Sequence, residues 1–317
     1  MSDYPLFTEL GGTVKQVRRL IDPQDQSWSA FNPSIAISPQ GEIKMALRSS
    51  NYTIIKETGE LVVTQGNKIQ NRLYLCDLNE DLKVSNIERI TFGDIPWQDT
   101  NVIMSRGAED AKLYYRNGHW QFTAIVKEAD GVPIPRLVRF SLQGNHAEMV
   151  EFGGFDGEDP TRAEKNWMLP YEQSEHFDYI YSPTQKLINR YRYQVREEND
   201  EIKGVRGGSN LWKLDDGTYL ALVHKTYIKK VEYYDAKRFG VCTNSVKNYE
   251  HRFARYNEYG VLFELSNPFQ FLGHGIEFGA GLIVKNDEVW VSFGREDMSA
   301  HIGKINLEAV MGMLRSV

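Results

Sequence analysis

Basic side chains return at matched places in five segments of a chain whose formal net charge is −6. The segments run from Phe31 to Ser50, Gly107 to Glu128, Glu164 to Pro183, Arg206 to Lys225 and Glu277 to Asp297. Each has a small or polar opener, a short apolar run, a turn, and a second apolar run ending in a polar or charged residue. The openers supply Asn32, Glu109, Asp110, Lys165, Asn166, Arg206, Ser209 and Glu277. The second-run ends supply Arg48, Lys127, Glu128, Tyr181, His224, Lys225, Arg295 and Asp297. Arginine and lysine gathered together suit a phosphate or carboxylate, which arginine can grip through two parallel hydrogen bonds. Carboxylates and amides among them, beside Trp28, Trp167 and Tyr181, compose a sugar site. The set could therefore recognise a sugar next to an anion. Any one member alone is more often a solvated strand-end charge, and a lone His224 a structural histidine, so the reading depends on the fold collecting them.

A repeat provides that collection. Asn32, Asp110, Asn166, Gly208 and Gly279 precede Arg48, Val126, Ser182, His224 and Arg295 by sixteen residues in every case. Such a fixed offset marks a recurring supersecondary unit. The turns Pro39-Gln40-Gly41, Asn117-Gly118 and Asp216-Gly217 join the paired runs as hairpins. Between the units lie further short strands: 60–64, 71–77, 84–90, 136–142, 147–152, 251–256 and 260–265. No strand–helix alternation occurs, which argues against a parallel α/β sheet. Five units of about four antiparallel strands predict an all-β, five-bladed β-propeller, ending in a short C-terminal helix over Leu307 to Leu314. A sandwich would not explain five matched openers. The expectation is one propeller domain over 1–317, with units opening near 31, 107, 164, 206 and 276.

In a propeller the first strand of each blade lines the channel, so the openers should meet at one mouth. Each second run should bring its end back beside its own opener. The aromatic-rich Thr226 to Tyr249 stretch reads as an extended hairpin or flap.

The totals set limits. An acidic chain is not a general nucleic-acid binder. Two distant cysteines, Cys76 and Cys242, make neither a disulfide framework nor a zinc motif and read as buried thiols. Seven histidines without paired ligand spacing speak against a metal site. The opening MSDYPLFTEL has neither a basic n-region nor an apolar h-region, and no run of 18 apolar residues occurs, so the expectation is a soluble cytoplasmic protein, or a virion component if viral. Oligomeric state is left open.

These segments resemble the five-bladed propellers of carbohydrate-active enzymes, in particular the mannoside phosphorylase family and its mannosyltransferase relatives. Gly107-Ala108-Glu109-Asp110-Ala111-Lys112 stands where that family has a Glu-Asp-Pro-Arg segment, with Ala111-Lys112 replacing Pro-Arg. A separate Glu158-Asp159-Pro160-Thr161-Arg162 precedes the third unit. Lys165-Asn166-Trp167 is similar to the family's Lys-Asn segment. Arg206-Gly207-Gly208-Ser209 with Leu220 to His224 resembles the segment ending in a ligand-facing histidine. The last third, from His251-Arg252-Phe253 through Ile276-Glu277-Phe278 to Ser292-Phe293-Gly294, resembles glycosyltransferase-like propellers of bacteria and viruses.

The resemblance implies an inverting displacement in which Arg48, Lys165, Arg206 and His224 hold phosphate while Asn32 and Asp110 hold sugar hydroxyls. The candidate catalytic carboxylates are Glu128 and Asp110. The family's acid falls by position on Glu128, although the adjacent Lys127 favours an ionised carboxylate there. Glu109, Asn166, Tyr181, Ser209, Lys225, Glu277, Arg295 and Asp297 complete the candidate substrate-binding set. No cofactor is expected; inorganic phosphate or a sugar nucleotide would enter as co-substrate. The partners are a sugar or glycan and an anionic co-substrate. Two other readings compete: a non-catalytic glycan-binding or structural propeller, such as a phage component, and an inverting hydrolase in which water replaces the anion.

Overall fold

Five β-sheets stand around one axis. The computed structural model describes residues 4–17, 28–55, 60–93, 96–97, 100–101, 107–127, 135–152, 165–189, 191–235 and 240–317. Blade 1 runs outward through Ser29–Ile37, Ile43–Ser50, Asn71–Leu78 and Val84–Arg89. Blade 2 consists of Glu109–Arg116, His119–Lys127, Pro135–Gln143 and His146–Phe152, with Thr91–Phe92 parallel to its outermost strand. Blade 3 is slight: Tyr179–Ser182, Gln185–Ile188 and Tyr191–Gln194, with the 165–170 segment inside them joined by a single Met168–Ile180 bridge. Blade 4 is built on the long hairpin Tyr219–Asp235 and Gly240–Tyr256, with Arg206–Gly207 and Trp212–Lys213 inside and Leu262–Ser266 outside. Blade 5 is Glu277–Lys285, Glu288–Arg295 and Ser299–Asn306.

Burial follows distance from the axis. In blade 1 the first strand is buried at every position but its last, whereas the fourth is exposed at every position but its first. An inner strand is covered by neighbouring blades on both faces, so Phe31, Ile35 and Ala36 run without polar alternation. The outer strand has solvent beside it and can carry Ser85, Asn86, Glu88 and Arg89.

The N-terminus closes the ring. Phe7–Leu10 form a 3-10 turn, and Thr13–Gln16 then pair with Ser299–Asn306 as the outermost strand of blade 5. Phe7 is fully buried against Phe269 and Phe271. Burying a phenyl ring of this size contributes about 1.5–3 kcal/mol. The N-terminal segment is thus both a helical turn and a strand. One departure concerns 60–64: Leu61–Val63 pair with Tyr52–Ile54 in a separate small hairpin rather than joining blade 1 as an outer strand. The terminal helix spans Leu307–Met313, capped by Asn306, and the chain then adds Leu314–Ser316 to the edge of blade 4.

Among the described residues no helix is long and apolar enough to cross a membrane. Cys76 is a buried free thiol. The side chain of Cys242 lies outside the described residues.

Candidate functional site

The openers sit on bulges. Register shifts fall between Phe31 and Ser34, between Glu109 and Lys112, and between Gly279 and Gly281. Asn32, Asp110 and Asn166 have φ of 46°, 51° and 63°. Asn and Asp tolerate this left-handed backbone better than other side chains, which explains their recurrence at the opener. A bulge also turns the side chain out of the ordinary alternation. Blade 5 makes room for the first opener: a Cβ on Gly294 would lie 1.9 Å from Asn32 Oδ1.

The side chains meet in a cavity of about 410 Å3 at one end of the channel. Blade 1 supplies Asn32 and Arg48, blade 2 Glu109 and Asp110, and blade 3 Lys165 and Asn166. Blade 4 supplies Arg206 and His224, which face each other in register, and blade 5 supplies Asp297.

One half is a connected acidic network. Arg48 Nη1 donates to Asp110 Oδ1 at 2.9 Å, and Asn32 Nδ2 donates to the same oxygen at 2.9 Å. Arg48 Nε donates to Asn71 Oδ1 at 2.9 Å, and Asn71 Nδ2 to Glu109 Oε1 at 3.2 Å. Tyr52 donates its hydroxyl to Asp297 Oδ2 at 2.8 Å. Burial opposes the charge on Arg48, but Asp110 and Glu109 outweigh it and hold the guanidinium firmly protonated. Burial likewise works against ionised Asp110. Arg48, the Asn32 hydrogen bond and Lys165 overcome it, leaving the carboxyl below the usual range. For Asp297 burial prevails over Arg48 and Tyr52, and its pKa is raised.

The other half is cationic. Lys165, Arg206 and Lys247 line it, and among the described residues none of the three has a carboxylate within ion-pair distance. Lys247 lies over the Tyr249 ring at 5.3 Å. Burial first, then His251 and the nearby Lys112, Lys247 and Arg206, hold His224 well below its ordinary pKa. Burial and these neighbours favour the neutral imidazole.

Five expected residues do not line the cavity. Ser209 is fully buried, accepts from Leu222 N at 2.9 Å and donates to Asn210 O at 2.7 Å. Glu277 is fully buried and accepts from Phe271 N and Leu272 N, both at 2.8 Å, while burial pushes its pKa up to about 7. Both satisfy backbone groups that would otherwise be orphaned in the core. Arg295 donates to Leu272 O at 3.2 Å. Tyr181 packs edge-on to Trp167 under Arg192. Lys225, next to His224 on its strand, faces the opposite side of the sheet. Trp28 and Trp167 are buried rather than cavity-facing. Glu128 and the 158–162 segment lie outside the described residues. Lys127 pairs with Pro135, and Ile125 with Glu109, so the second strand of blade 2 ends beside the opener.

Sequence reasoning missed Tyr52, Thr226, Lys247, Tyr249 and Phe278, which line the cavity. The last two supply the aromatic surface expected from tryptophans. Thr226, Lys247 and Tyr249 come from the long hairpin, where Thr226 pairs with Tyr249.

Below the openers, Lys112 stands where the resembling family has arginine. It is 3 % exposed, and its Nζ donates to Trp167 O at 2.9 Å. Burial lowers its pKa to about 7, only partly opposed by Asp110. The unfolded chain holds this proton up to the ordinary value of 10.5, so unfolding takes up a proton between pH 7 and 10.5. Stability should therefore rise with pH across that window. Lys112→Met is expected to raise stability at pH 7 by about 2 kcal/mol and to flatten the rise. Urea unfolding from pH 6 to 9.5 measures both; parallel curves for the two proteins would refute the burial argument.

No family model matches the chain, and no curated protein matches it in sequence. Solved structures do. A β-1,2-mannobiose phosphorylase from Listeria innocua aligns over 95% of this chain and 98% of its own, with 12% identity and a TM-score of 0.59. The chain shares the fold of the mannoside phosphorylases. A structure from the GH130 family of mannoside phosphorylases, which contains glycoside hydrolases that target β-1,2 mannosidic linkages in Candida mannan, aligns over 97% and 96% with 12% identity and a TM-score of 0.62. A GDP-Man-dependent mannosyltransferase from Leishmania mexicana aligns over 88% and 85% with 11% identity and a TM-score of 0.53. The architecture is thus that of carbohydrate-active propellers, as the resemblance implied.

Proposed function

We propose that the chain is a glycoside phosphorylase, joining a sugar held by the acidic half of the cavity to an anion held by the cationic half. The observation that carries this is the division itself. Among the described residues, three cations without a carboxylate at ion-pair distance face a network in which Asp110, Glu109 and Asp297 are all engaged. Lone cations in a shared concavity favour an anionic ligand, and inorganic phosphate needs about two such charges. Water would need none, so a hydrolase is less well served.

The reaction follows from that placement. A phosphate oxygen held by Lys165, Arg206 and His224 attacks the anomeric carbon as the bond to the leaving sugar oxygen breaks, and that oxygen takes a proton from a carboxyl. Asp110 is unsuited to give it, because Arg48 keeps it ionised; Asn32 and Asp110 instead accept and orient sugar hydroxyls. The proton donor is assigned to Glu128 by its position after the second strand of blade 2. Asp110 and Glu109 also favour positive charge developing on the ring.

Incubation with manno-oligosaccharides and phosphate tests the proposal. Release of sugar 1-phosphate that requires phosphate is the expected result. Equal turnover without phosphate would identify a hydrolase. Transfer only from a sugar nucleotide would identify a transferase, and binding without turnover a glycan-binding propeller.

A further inference from the structure

Blade 3 is too short to cover blade 2. Its second strand, Tyr179–Ser182, has 4 residues, whereas Glu109–Arg116 has 8 and Pro135–Gln143 has 9. At the end away from the openers, the 171–178 loop rims the uncovered part instead of a strand. A recess of about 600 Å3 results, larger than the channel cavity and sharing no lining residue with it. Any conclusion about it stands apart from the reading of that cavity.

The recess is polar and unevenly charged. Arg139 Nη2 pairs with Glu151 at 3.1 Å, and Tyr179 donates to the same carboxylate oxygen at 3.2 Å. Glu151 is therefore already engaged. Asp178 accepts from Asn189 N at 2.6 Å. Arg116 lies on the wall without a carboxylate within ion-pair distance among the described residues. Its Nε donates to Tyr171 O at 3.4 Å and its Nη2 to Pro170 O, so two carbonyls hold the guanidinium in place while Nη1 has no hydrogen-bond partner among the described residues. Burial, with the neighbouring Arg139 adding to it, depresses its pKa despite Tyr114, Tyr179 and Asp178. Desolvated cations of this kind are costly alone, and an incoming anion removes the penalty. Asn117, Gln173 and Ser174 offer hydrogen bonds around the rim, and Phe177 offers an apolar face. A ring carrying hydroxyls fits that mixture.

We infer that the recess between blades 2 and 3 is a second ligand site, for a small sugar bearing an anionic group that Arg116 meets. Phosphate and carboxylate share this chemistry, and the test separates them. The full-length Lys165→Ala/Arg206→Ala/Lys247→Ala protein lacks the three cations of the channel cavity, and titration calorimetry then follows mannose 1-phosphate, glucuronate and mannose. At least one anionic sugar should bind at a single site, about tenfold or more tighter than mannose. Whichever anion binds identifies the group. Adding Gln173→Trp on the exposed rim should fill the recess and weaken that binding about tenfold or more. Arg116→Gln should do the same; because Arg116 also ties the two blades together, the rim variant decides the question if that protein does not fold. No saturable binding of either anionic sugar up to roughly 10 mM, affinity equal to mannose, or binding that survives Gln173→Trp would overturn the inference.

Discussion

Replacing Arg48 by alanine is expected to cost about 3–5 kcal/mol of folding stability. The guanidinium is 5 % exposed and is shared by Asp110, Asn71 and Tyr52, with Glu109 Oε1 at 3.8 Å and the Phe31 ring beneath it at 5.0 Å. Its removal would leave Asp110 and Glu109 without the ion-pair partner they share, with only the more distant Lys165 to offset the Asp110 charge. The acid side should change as well. With Arg48 present, Asp110 has a folded pKa below its ordinary 3.8, so the stability it adds is complete above that value and is lost as pH falls through the folded one. Without Arg48 the Asp110 pKa rises, and acid unfolding should begin at higher pH. Denaturant unfolding at pH 7 and an acid titration check the two parts. A loss below about 1 kcal/mol, the range of an exposed ion pair, would mean that Arg48 is not the keystone of the network. Lys213 and Glu172, both solvent-accessible at 3.3 Å, are such a pair and should show that small effect.

Lys165→Ala and Arg206→Ala should behave in the opposite way. Both side chains are exposed and have no carboxylate partner among the described residues, so neither removal leaves a buried charge behind. The melting temperature should stay within a degree or two of the parent. The KM for phosphate should rise about 10- to 100-fold for each, the worth of one charge-assisted hydrogen bond. The KM for the sugar should move little, because sugar hydroxyls are assigned to Asn32 and Asp110 across the cavity. An unchanged phosphate KM would remove the cationic half from the reaction.

The contrast between Arg48 and these two residues was not visible in the sequence. All three appear there as basic residues at repeat positions, and the resemblance groups them as anion ligands. Only the pairing of blades 1 and 2 shows that Arg48 is committed to Asp110 and Glu109. The opener positions were legible for a physical reason: a left-handed bulge in an inner strand restricts the residue to Asn, Asp or Gly, so Asn32, Asp110 and Asn166 stand out. The Arg206–His224 pair was legible because a hairpin must bring its ends together, and the register confirms it.

Ser209 and Glu277 misled because a polar residue on an inner strand has two possible tasks, facing the channel or satisfying backbone groups of adjacent segments. Past a bulge the alternation of faces is interrupted, and counting along the strand cannot choose between them. Lys247 and Tyr249 were missed for another reason. The position of a residue on a long hairpin depends on strand register, and the sequence at 236–239 carries no signal that sets it. The closing strand Thr13–Gln16 was obscured because four residues on an outer edge need no apolar pattern, and its burial is mostly exposed.

A crystal structure of the protein soaked with phosphate and mannose is the most direct test of the divided cavity. The account predicts phosphate within hydrogen-bond distance of Lys165, Arg206 and His224, and mannose hydroxyls on Asn32 and Asp110. Phosphate seated on Arg48, or a sugar lying across Lys165 and Arg206 with no anion bound at saturating phosphate, would contradict it.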